Sequence, residues 1–306
     1  MQAVLYKLAG FGLNLWSMVA PQHAARVAST LFATPPKPSL RDKEKYFLDT
    51  ATQLRRQVAG CEIVEYHWGE ENAPLVLMSY GWGYNSGRWR HFVPELLDAG
   101  YRVVAYDPPG HGLAPKGQLN VPLNAAIIRT LIQAYGPAEA IIAHSFGGSS
   151  SVYALHDLPR HLHPRRMVLM ASFSYAPRVF REYRQALGLW PSLYWQMVRN
   201  FEQRIGHPIE DFDFALMSAD LPHIDALLVH NPTDRVTPYA EARRYFDFWP
   251  GSRLFSPTEG GHHLGTTPVT DAVLDFVLHG AIPDAAERQE QPVFAKHELV
   301  RHFVGM

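Results

Sequence analysis

The sequence predicts an α/β fold built on a doubly wound, mostly parallel sheet. From about residue 62 onward, short and continuously apolar runs alternate with amphipathic helical stretches, several of which end in glycine. Continuously apolar runs are typical of strands that helices cover on both faces. Alternation of strand and helix along the chain is the pattern of a parallel sheet.

Composition and charge restrict the classes of protein. The chain has 306 residues, of which 47% are hydrophobic and 19% charged, with a formal net charge of -1. These values are typical of a soluble globular protein and give no electrostatic reason to expect a nucleic-acid partner. Cys61 is the single cysteine, which excludes an intrachain disulfide and a cysteine-based metal site. The 16 histidines form no convincing metal-binding pair on a helix.

Residues 1–60 are predicted to be a helical segment that packs on the core. Within residues 1–20, apolar side chains recur at helical intervals; they are Val4, Leu5, Leu8, Phe11, Leu15, Trp16 and Val19. The run is too often interrupted to cross a bilayer, which needs about 20 apolar residues in succession. A cleaved signal peptide is the least favoured interpretation. We expect a cytoplasmic protein, and leave open peripheral membrane association through residues 1–20 and a homo-oligomer.

The strands are predicted in chain order. Residues 62–68 alternate with period two and are predicted to form an exposed edge strand. The later strands are predicted at residues 75–80, 102–107, 140–145, 166–172, 225–231 and 252–256, with helices at 89–100, 123–136 and 269–280. Residues 61–172 and 220–282 therefore form the predicted core, and residues 283–306 a tail without an assigned role.

One interval departs from this rhythm. About fifty residues separate the strand at 166–172 from the strand at 225–231, where one crossover needs far fewer. The interval is helical in pattern and rich in aromatic residues; they are Phe180, Tyr183, Trp190, Tyr194, Trp195 and Phe201. Ligands of such sheets bind at the carboxyl edge, so we expect residues 173–219 to form a helical cap inserted after the sixth strand. The alternative is a surface excursion with its own small core.

The run AIIAHSFGGSS, from Ala140 to Ser150, is typical of a nucleophile elbow, in which a serine lies at the apex of a strand-to-helix turn. Such a turn requires small residues two positions before and after the serine, and Ala143 and Gly147 meet this requirement. The hydroxyl of Ser145 is then exposed, and the N–H of Phe146 lies at a helix N-terminus, where it can stabilise an oxyanion.

A serine nucleophile needs a base, and the base needs an orienting carboxylate. Asp234 follows the next-to-last predicted strand, while His262 and His263 follow the last. These residues should therefore lie at the same edge of the sheet as Ser145, in the chain order Ser, Asp, His. Adjacent side chains diverge, and the first histidine after the glycine pair is better placed, so we predict His262 as the base. His263 is given a packing role or a role in supporting the catalytic residues.

Two further runs follow predicted strands. In SYGWG, from Ser79 to Gly83, the N–H of Trp82 is placed to act as a second oxyanion donor. In DPPGHG, His111 is predicted to be structural. Together with AHSFGG, HNPTDRVTP and GGHH, these runs make residues 60–280 similar to the α/β-hydrolase superfamily, in its cap-bearing, esterase- or lipase-like branch with a serine nucleophile.

The resemblance implies a catalytic triad of Ser145, Asp234 and His262, with an oxyanion hole formed by the N–H groups of Trp82 and Phe146. It departs from the family at two positions, since Tyr80 and Ala143 stand where the family usually has histidine and glycine. We further predict that Tyr80, His144, Trp190 and Trp195 contact the substrate.

The expected activity is hydrolysis of a carboxylic ester, or a related acyl bond, of a small to medium apolar molecule through an acyl-enzyme. No metal or organic cofactor is needed for this chemistry. The same triad can serve a thioesterase, an amidase, a C–C bond hydrolase, a perhydrolase or an acyltransferase. A non-catalytic ligand receptor on the same scaffold is the alternative from another class, and the sequence does not separate these functions.

Overall fold

A computed structural model of the chain describes residues 2–289, with side chains from Val4 onward. It contains one nine-stranded sheet. The strands are β1 (Thr52–Val58), β2 (Cys61–Trp68), β3 (Leu75–Ser79), β4 (Arg102–Asp107), β5 (Ala140–His144), β6 (Arg166–Met170), β7 (Asp225–Val229), β8 (Arg253–Phe255) and β9 (Glu287–Arg288). Most of the predicted tail, residues 290–306, lies outside the described part.

The sheet is mostly parallel, as the sequence predicts. Its strand order is β1-β2-β4-β3-β5-β6-β7-β8-β9. Strands β4, β3, β5, β6, β7 and β8 run parallel, whereas β1, β2 and β9 pair antiparallel to their neighbours at the two edges. The parallel strands therefore all end at one edge, where loops from different parts of the chain meet.

Helices cover both faces of the sheet. The α-helices are α1 (Gln2–Val19), α2 (Pro21–Ala33), α3 (Asp42–Leu48), α4 (Val93–Asp98), α5 (Val121–Tyr135), α6 (Phe146–His156), α7 (Ala176–Leu187), α8 (Pro191–Ile205), α9 (Phe214–Ser218), α10 (Ala240–Phe248) and α11 (Thr267–His279). Short 3-10 helices occur at Ser86–His91, Arg160–Leu162, Ile209–Asp211 and Gly261–His263. One apolar cluster buries α5, α6, α9 and α10 on one face, and a second buries α4 and α11 on the other.

The prediction of an exposed edge strand at residues 62–68 is wrong. β2 lies inside the sheet between β1 and β4, and both its faces are largely buried. Its fully buried carboxylate, Glu65, accepts hydrogen bonds from Arg56 and from the hydroxyl of Tyr135. The charged residue in this strand pattern suggested a solvent-exposed face. Its burial is tolerable because hydrogen-bond donors on β1 and α5 pair with the carboxylate. β1 itself was not predicted, because its sequence TQLRRQV has no apolar alternation.

The chain leaves the sheet between β6 and β7 to form α7 and α8. These two helices pack with α1 and α2 around an apolar cluster of their own, which includes Leu13, Ala25, Phe180, Met197 and Phe201. We call the four helices α1, α2, α7 and α8 the roof. Helices α1 and α2 thus pack on the inserted helices, while α3 of the same predicted segment packs on the core through Leu48. Among the described residues, no helix is both long enough and apolar enough to cross a bilayer.

Gly10 explains how α1 approaches the rest of the roof so closely. A Cβ atom at this position would lie 1.8 Å from the carbonyl oxygen of Leu187, at the end of α7. The contact is with backbone, which cannot rotate away as a side chain can. Gly12, two residues later on the exposed side of α1, has nothing within 4 Å of its position for a Cβ.

This difference gives a matched pair of variants. Gly10→Ala should destabilise the protein by about 1–3 kcal/mol, because the added methyl group forces α1 away from α7. Gly12→Ala should stabilise it by up to about 1 kcal/mol through helix propensity alone. Urea unfolding measures both values, and limited proteolysis within α1 reports its detachment. Equal stability changes in the two variants would contradict the close packing of α1 on α7.

Candidate active site

Ser145 occupies a strained turn between β5 and α6. Its backbone has φ +52° and ψ -122°, which side-chain-bearing residues rarely adopt. The N–H of Ser145 donates to the carbonyl of Met170 at the end of the neighbouring strand β6, over 2.7 Å. Backbone strain of this kind persists where the surrounding structure imposes it, and it is concentrated at functional sites.

Close packing around the turn explains the small residues that surround it. A Cβ atom on Gly147 would lie 2.4 Å from the carbonyl oxygen of Ser79, and one on Gly148 would lie 1.9 Å from Oγ of Ser172. Ala143, which stands where the family usually has glycine, fits fully buried within β5.

The structure brings the three predicted triad residues together. Nε2 of His262 lies 3.2 Å from Oγ of Ser145, and its Nδ1 lies 2.8 Å from Oδ2 of Asp234. Asp234 lies in the loop after β7, and His262 lies in the loop after β8. Each residue therefore follows a parallel strand at the same edge of the sheet. A proton on Nδ1 of His262 donates to the carboxylate and leaves Nε2 free to accept a proton from the serine.

Asp234 is held as a carboxylate. Burial would raise the pKa of Asp234, but hydrogen bonds from His230, His262 and the backbone N–H groups of Thr237 and Val236 outweigh burial and hold this pKa well below its usual range. Both backbone N–H groups donate to Oδ1, at 3.0 and 2.7 Å. The other oxygen, Oδ2, therefore remains directed at the histidine.

His230 is a site residue that the sequence reasoning did not find. It is 1% exposed at the end of β7, and its Nε2 lies 2.8 Å from the carbonyl oxygen of Thr237 and 3.4 Å from Oδ2 of Asp234. It thus braces the loop that carries the carboxylate. The available signal was a histidine four positions before Asp234 at a strand exit.

His263 contacts a different group from His262. Its Nε2 lies 2.9 Å from the hydroxyl of Tyr84. Burial, together with the positive charge of Arg88, lowers the pKa of His263.

The loop after β3 approaches Ser145 from the other side. The rings of Trp82 and Phe146 are in edge contact at 5.3 Å, and among the described residues no acceptor is bonded to the backbone N–H of either. The next N–H, of Gly83, donates to Nε2 of His111 over 2.9 Å, while Nδ1 of His111 donates to the carbonyl of Pro109. Burial lowers the pKa of His111, which favours the neutral ring that these two bonds require. His111 is therefore structural, as predicted, and supports the loop.

Tyr80 and His144, which the sequence predicted to contact substrate, do not line the cavity above Ser145. Their rings stack at 4.7 Å. Nε2 of His144 lies 2.7 Å from the carbonyl oxygen of His262 and donates to it. Tyr80 fills the place of the usual family histidine by packing on His144, and His144 holds the backbone of the predicted base.

An apolar cavity of about 710 Å³ opens above Ser145. Its floor includes Trp82 and Phe146, and its upper wall belongs to the roof, with Phe180 and Tyr183 from α7. Trp190 and Trp195, predicted to contact the substrate, do not line it and are 43% and 50% exposed. Aromatic composition predicted a cap at residues 173–219, but it could not tell which side of the inserted helices faces the cavity. Within residues 2–289, no group of three His, Cys, Asp or Glu side chains is placed to hold a metal ion.

Comparison with known families agrees with the fold. A family model described as the alpha/beta hydrolase fold matches residues 74–216, and a second, described as TAP-like protein, matches residues 215–289. The chain belongs to the α/β-hydrolase superfamily. The fold of this α/β-hydrolase also matches the esterase from Exiguobacterium antarcticum, with a TM-score of 0.57 and 17% identity over 74% of this chain and 99% of that one.

Curated relatives of this α/β-hydrolase match shorter segments. A serine hydrolase-like protein from Danio rerio is 36% identical over 104 residues, which are 32% of each chain. A pimeloyl-acyl-carrier-protein methyl ester esterase from Hamiltonella defensa is 25% identical over 145 residues, which are 47% of this chain and 50% of that protein. The matches therefore span between about a third and a half of these relatives.

The buried ring of His144 should make stability depend on pH. Burial, together with the nearby His262, lowers the pKa of His144 to about 3. An unfolded histidine has a pKa of about 6.5, so the unfolded state gains a proton below that pH while the folded state does not. Stability is therefore lost as the pH falls. His144→Gln should remove up to about 1.4 kcal/mol per pH unit of this slope.

Urea unfolding of both proteins between about pH 6 and pH 4 measures the difference, in the range that separates the folded and unfolded values. Parallel curves for wild type and variant would contradict a neutral, buried His144.

Proposed function

We propose that the protein is a serine hydrolase that cleaves a carboxylic ester of an apolar molecule through an acyl-enzyme. One observation carries the proposal: the hydroxyl of the strained Ser145 lies 3.2 Å from Nε2 of His262, at the floor of an apolar cavity. Strain that exposes a hydroxyl to an imidazole is an arrangement that a ligand receptor does not need. The esterase names of relatives support the same reaction class.

Acylation begins when Oγ of Ser145 attacks the ester carbonyl carbon and Nε2 of His262 takes the serine proton. The carbonyl oxygen becomes an oxyanion, which the N–H groups of Trp82 and Phe146 stabilise; one such donor contributes about 3 kcal/mol. Asp234 stabilises the imidazolium that forms. The C–O bond of the ester then breaks, and His262 returns the proton to the leaving alcohol.

Deacylation repeats these steps with water. His262 removes a proton from water, whose oxygen attacks the acyl carbon, and the same two N–H groups stabilise the second oxyanion. Collapse releases the carboxylic acid and returns the proton to Oγ of Ser145. The sequence of steps consumes one water and needs no redox partner.

The cavity defines the substrate class. Among the described residues that line it, Arg178 and Glu182 are the charged ones, and they pair with each other. A charged substrate group would therefore find no free counter-ion on these walls, whereas an apolar acyl or aryl group would bury its surface favourably. The volume of about 710 Å³ is in the range of pockets for small organic ligands.

The test of this proposal is hydrolysis of p-nitrophenyl esters with acyl chains of increasing length. The kcat/KM value should rise by up to about fourfold per added methylene until the cavity is filled, because each buried methylene contributes about 0.8 kcal/mol. Ser145→Ala should fold normally, lose labelling by a fluorophosphonate and lose at least about a thousandfold in turnover.

His263→Ala is the matched control for the predicted base. It should keep most of the wild-type turnover, whereas His262→Ala should be nearly inactive, with circular dichroism showing that both fold. Full activity in Ser145→Ala, or loss of activity only in the His263 variant, would overturn the assignment.

Asp234→Asn tests how the base is oriented. The amide oxygen can keep the bonds from Val236 and Thr237, so the amide NH₂ faces Nδ1 of His262. The histidine then carries its proton on Nε2 and cannot accept one from Ser145. Turnover should fall by about 10³–10⁴-fold.

Stability should also fall in Asp234→Asn, because the buried carboxylate accepts from two histidines. Activity assays measure the turnover of the variant, and urea unfolding measures its stability. Turnover close to wild type would contradict the role of Asp234.

A further inference from the structure

The outward side of α1 is an exposed apolar surface. Successive residues of a helix are about 100° apart around its axis, which places six side chains in one stripe about 100° wide. The six, which we call the α1 stripe, are Val4, Leu8, Phe11, Leu15, Met18 and Val19, and each is between 46% and 88% exposed. A contiguous apolar surface of this kind marks an interaction site.

The stripe is a fixed feature of the fold. Asn14, on the inner side of α1, donates from Nδ2 to the carbonyl of Gly188 and accepts at Oδ1 from the N–H of Trp190. Gly10 lets the same side of α1 approach the backbone of α7. Because these contacts hold the inner side of the helix, the six large apolar residues of the stripe face outward.

The charged side chains of the two N-terminal helices are of one sign. Helices α1 and α2 carry Lys7 and Arg26 and contain no acidic residue. By helical geometry, Lys7 lies next to one edge of the stripe. Basic residues beside an apolar helix face are attracted to anionic lipid headgroups by about 1 kcal/mol each. Trp16 and Trp190, which are 44% and 43% exposed, are of the residue type enriched at membrane interfaces.

The same helix also forms part of the cavity wall. Tyr6 and Ala9 of α1 line the cavity, as do Leu31 and Phe32 of α2. The roof therefore has an apolar inner side above Ser145 and an apolar outer side on the α1 stripe, separated by one helix.

We propose that the α1 stripe docks on the surface of a bilayer that contains anionic lipid, and that the cavity takes its apolar ester from that bilayer. The second part rests on the proposed hydrolase function, whereas docking itself does not. A helix lying in the interface buries its apolar face among the headgroups and upper acyl chains while basic groups contact the phosphates. This arrangement needs no spanning segment.

A second copy of the chain is the competing occupant. A symmetric contact would bring the same surface of both copies together. Lys7, next to the stripe, would then face the cations of the other copy, with no carboxylate on α1 or α2 to pair with it. Anionic lipid supplies the missing negative charge, so the charge pattern favours the bilayer.

The experiment is co-sedimentation of the full chain with vesicles of phosphatidylcholine, alone or mixed with phosphatidylglycerol. Wild type should bind the mixed vesicles more tightly, and added salt should reduce this difference. The double variant Phe11→Asp, Leu15→Asp should bind at least about tenfold more weakly to both, because two apolar side chains no longer enter the interface. Arg26→Gln should lose about fivefold on the mixed vesicles and nothing on pure phosphatidylcholine.

The matched control is Tyr46→Asp with Leu54→Asp, which alters two apolar side chains that are 75% and 44% exposed on α3 and β1. It should bind vesicles as wild type does. Failure of wild type to bind either vesicle, or wild-type binding by the Phe11, Leu15 variant, would overturn the proposal. So would a lipid-free dimer, measured by light scattering, that only this variant dissociates, because the stripe would then join two copies.

Two readouts separate docking from catalysis. Ser145→Ala should bind vesicles as wild type does, since Ser145 lies below the roof. The Phe11, Leu15 variant should keep wild-type turnover on a short soluble ester and lose turnover on an ester dissolved in the vesicles. If wild type does not hydrolyse the soluble ester, the proposed hydrolase function is refuted. Vesicle binding still tests docking in that case.

Discussion

The candidate site depends on the strained turn at Ser145. This turn forms only because the neighbouring strands come so close to it that there is no room for side chains beside the serine. The carbonyl of Ser79, at the end of β3, occupies the space beside Gly147. The carbonyl of Met170, at the end of β6, accepts the N–H of Ser145. The pairings Ser79↔Ala143 and His144↔Met170 set these positions. A slip of one residue in either ladder would therefore remove the support that holds the serine in its strained conformation.

The end of β5 also fixes the predicted base. Ser145 presents the hydroxyl, and His144, one residue earlier, holds the carbonyl of His262 from below. The distance between Oγ and Nε2 is thus bounded from two sides, by the Asp234 carboxylate and by the His144 ring. The side chains of His144 and Ser145 point in opposite directions, and together they link the predicted nucleophile to the loop after β8. This arrangement accounts for a buried histidine that contacts neither the cavity nor the hydroxyl.

The parts of this structure that the sequence could predict are those in which local pattern and chemistry agree. Apolar runs identified the parallel strands, and polar residues at strand exits identified Ser145, Asp234 and His262 as neighbours. Strand ends at one edge must converge, so their meeting needs no knowledge of the packing.

The parts that the sequence could not predict depend on partners distant in the chain. Glu65 can be buried in β2 because Arg56 and Tyr135 donate hydrogen bonds to its carboxylate. The sequence of residues 62–68 contains no sign of these two partners. The N-terminal helices pack on α7 and α8, about 170 residues away, through contacts such as that of Asn14 with Gly188. Trp190 and Trp195 are exposed because the helix that carries Trp195 turns other aromatic residues inward. The period of the apolar residues identifies the buried face of a helix or strand, but it does not identify the element that packs against that face.

The two walls of the cavity differ in how they are held, and this difference separates chemistry from substrate choice. The floor is formed by strand ends whose positions the hydrogen-bonded sheet determines. The roof has an apolar cluster of its own and is tied to the core at the start of α7 by Glu241 of α10. This 6% exposed carboxylate accepts from the N–H and the hydroxyl of Ser174 and pairs with Arg178 at 2.6 Å. Since α1 and α2 pack on α7 and α8, the outer stripe and the inner wall belong to one packed unit. The sheet therefore sets the distance between Ser145 and His262, whereas the packing of this unit over the sheet sets the size of the cavity.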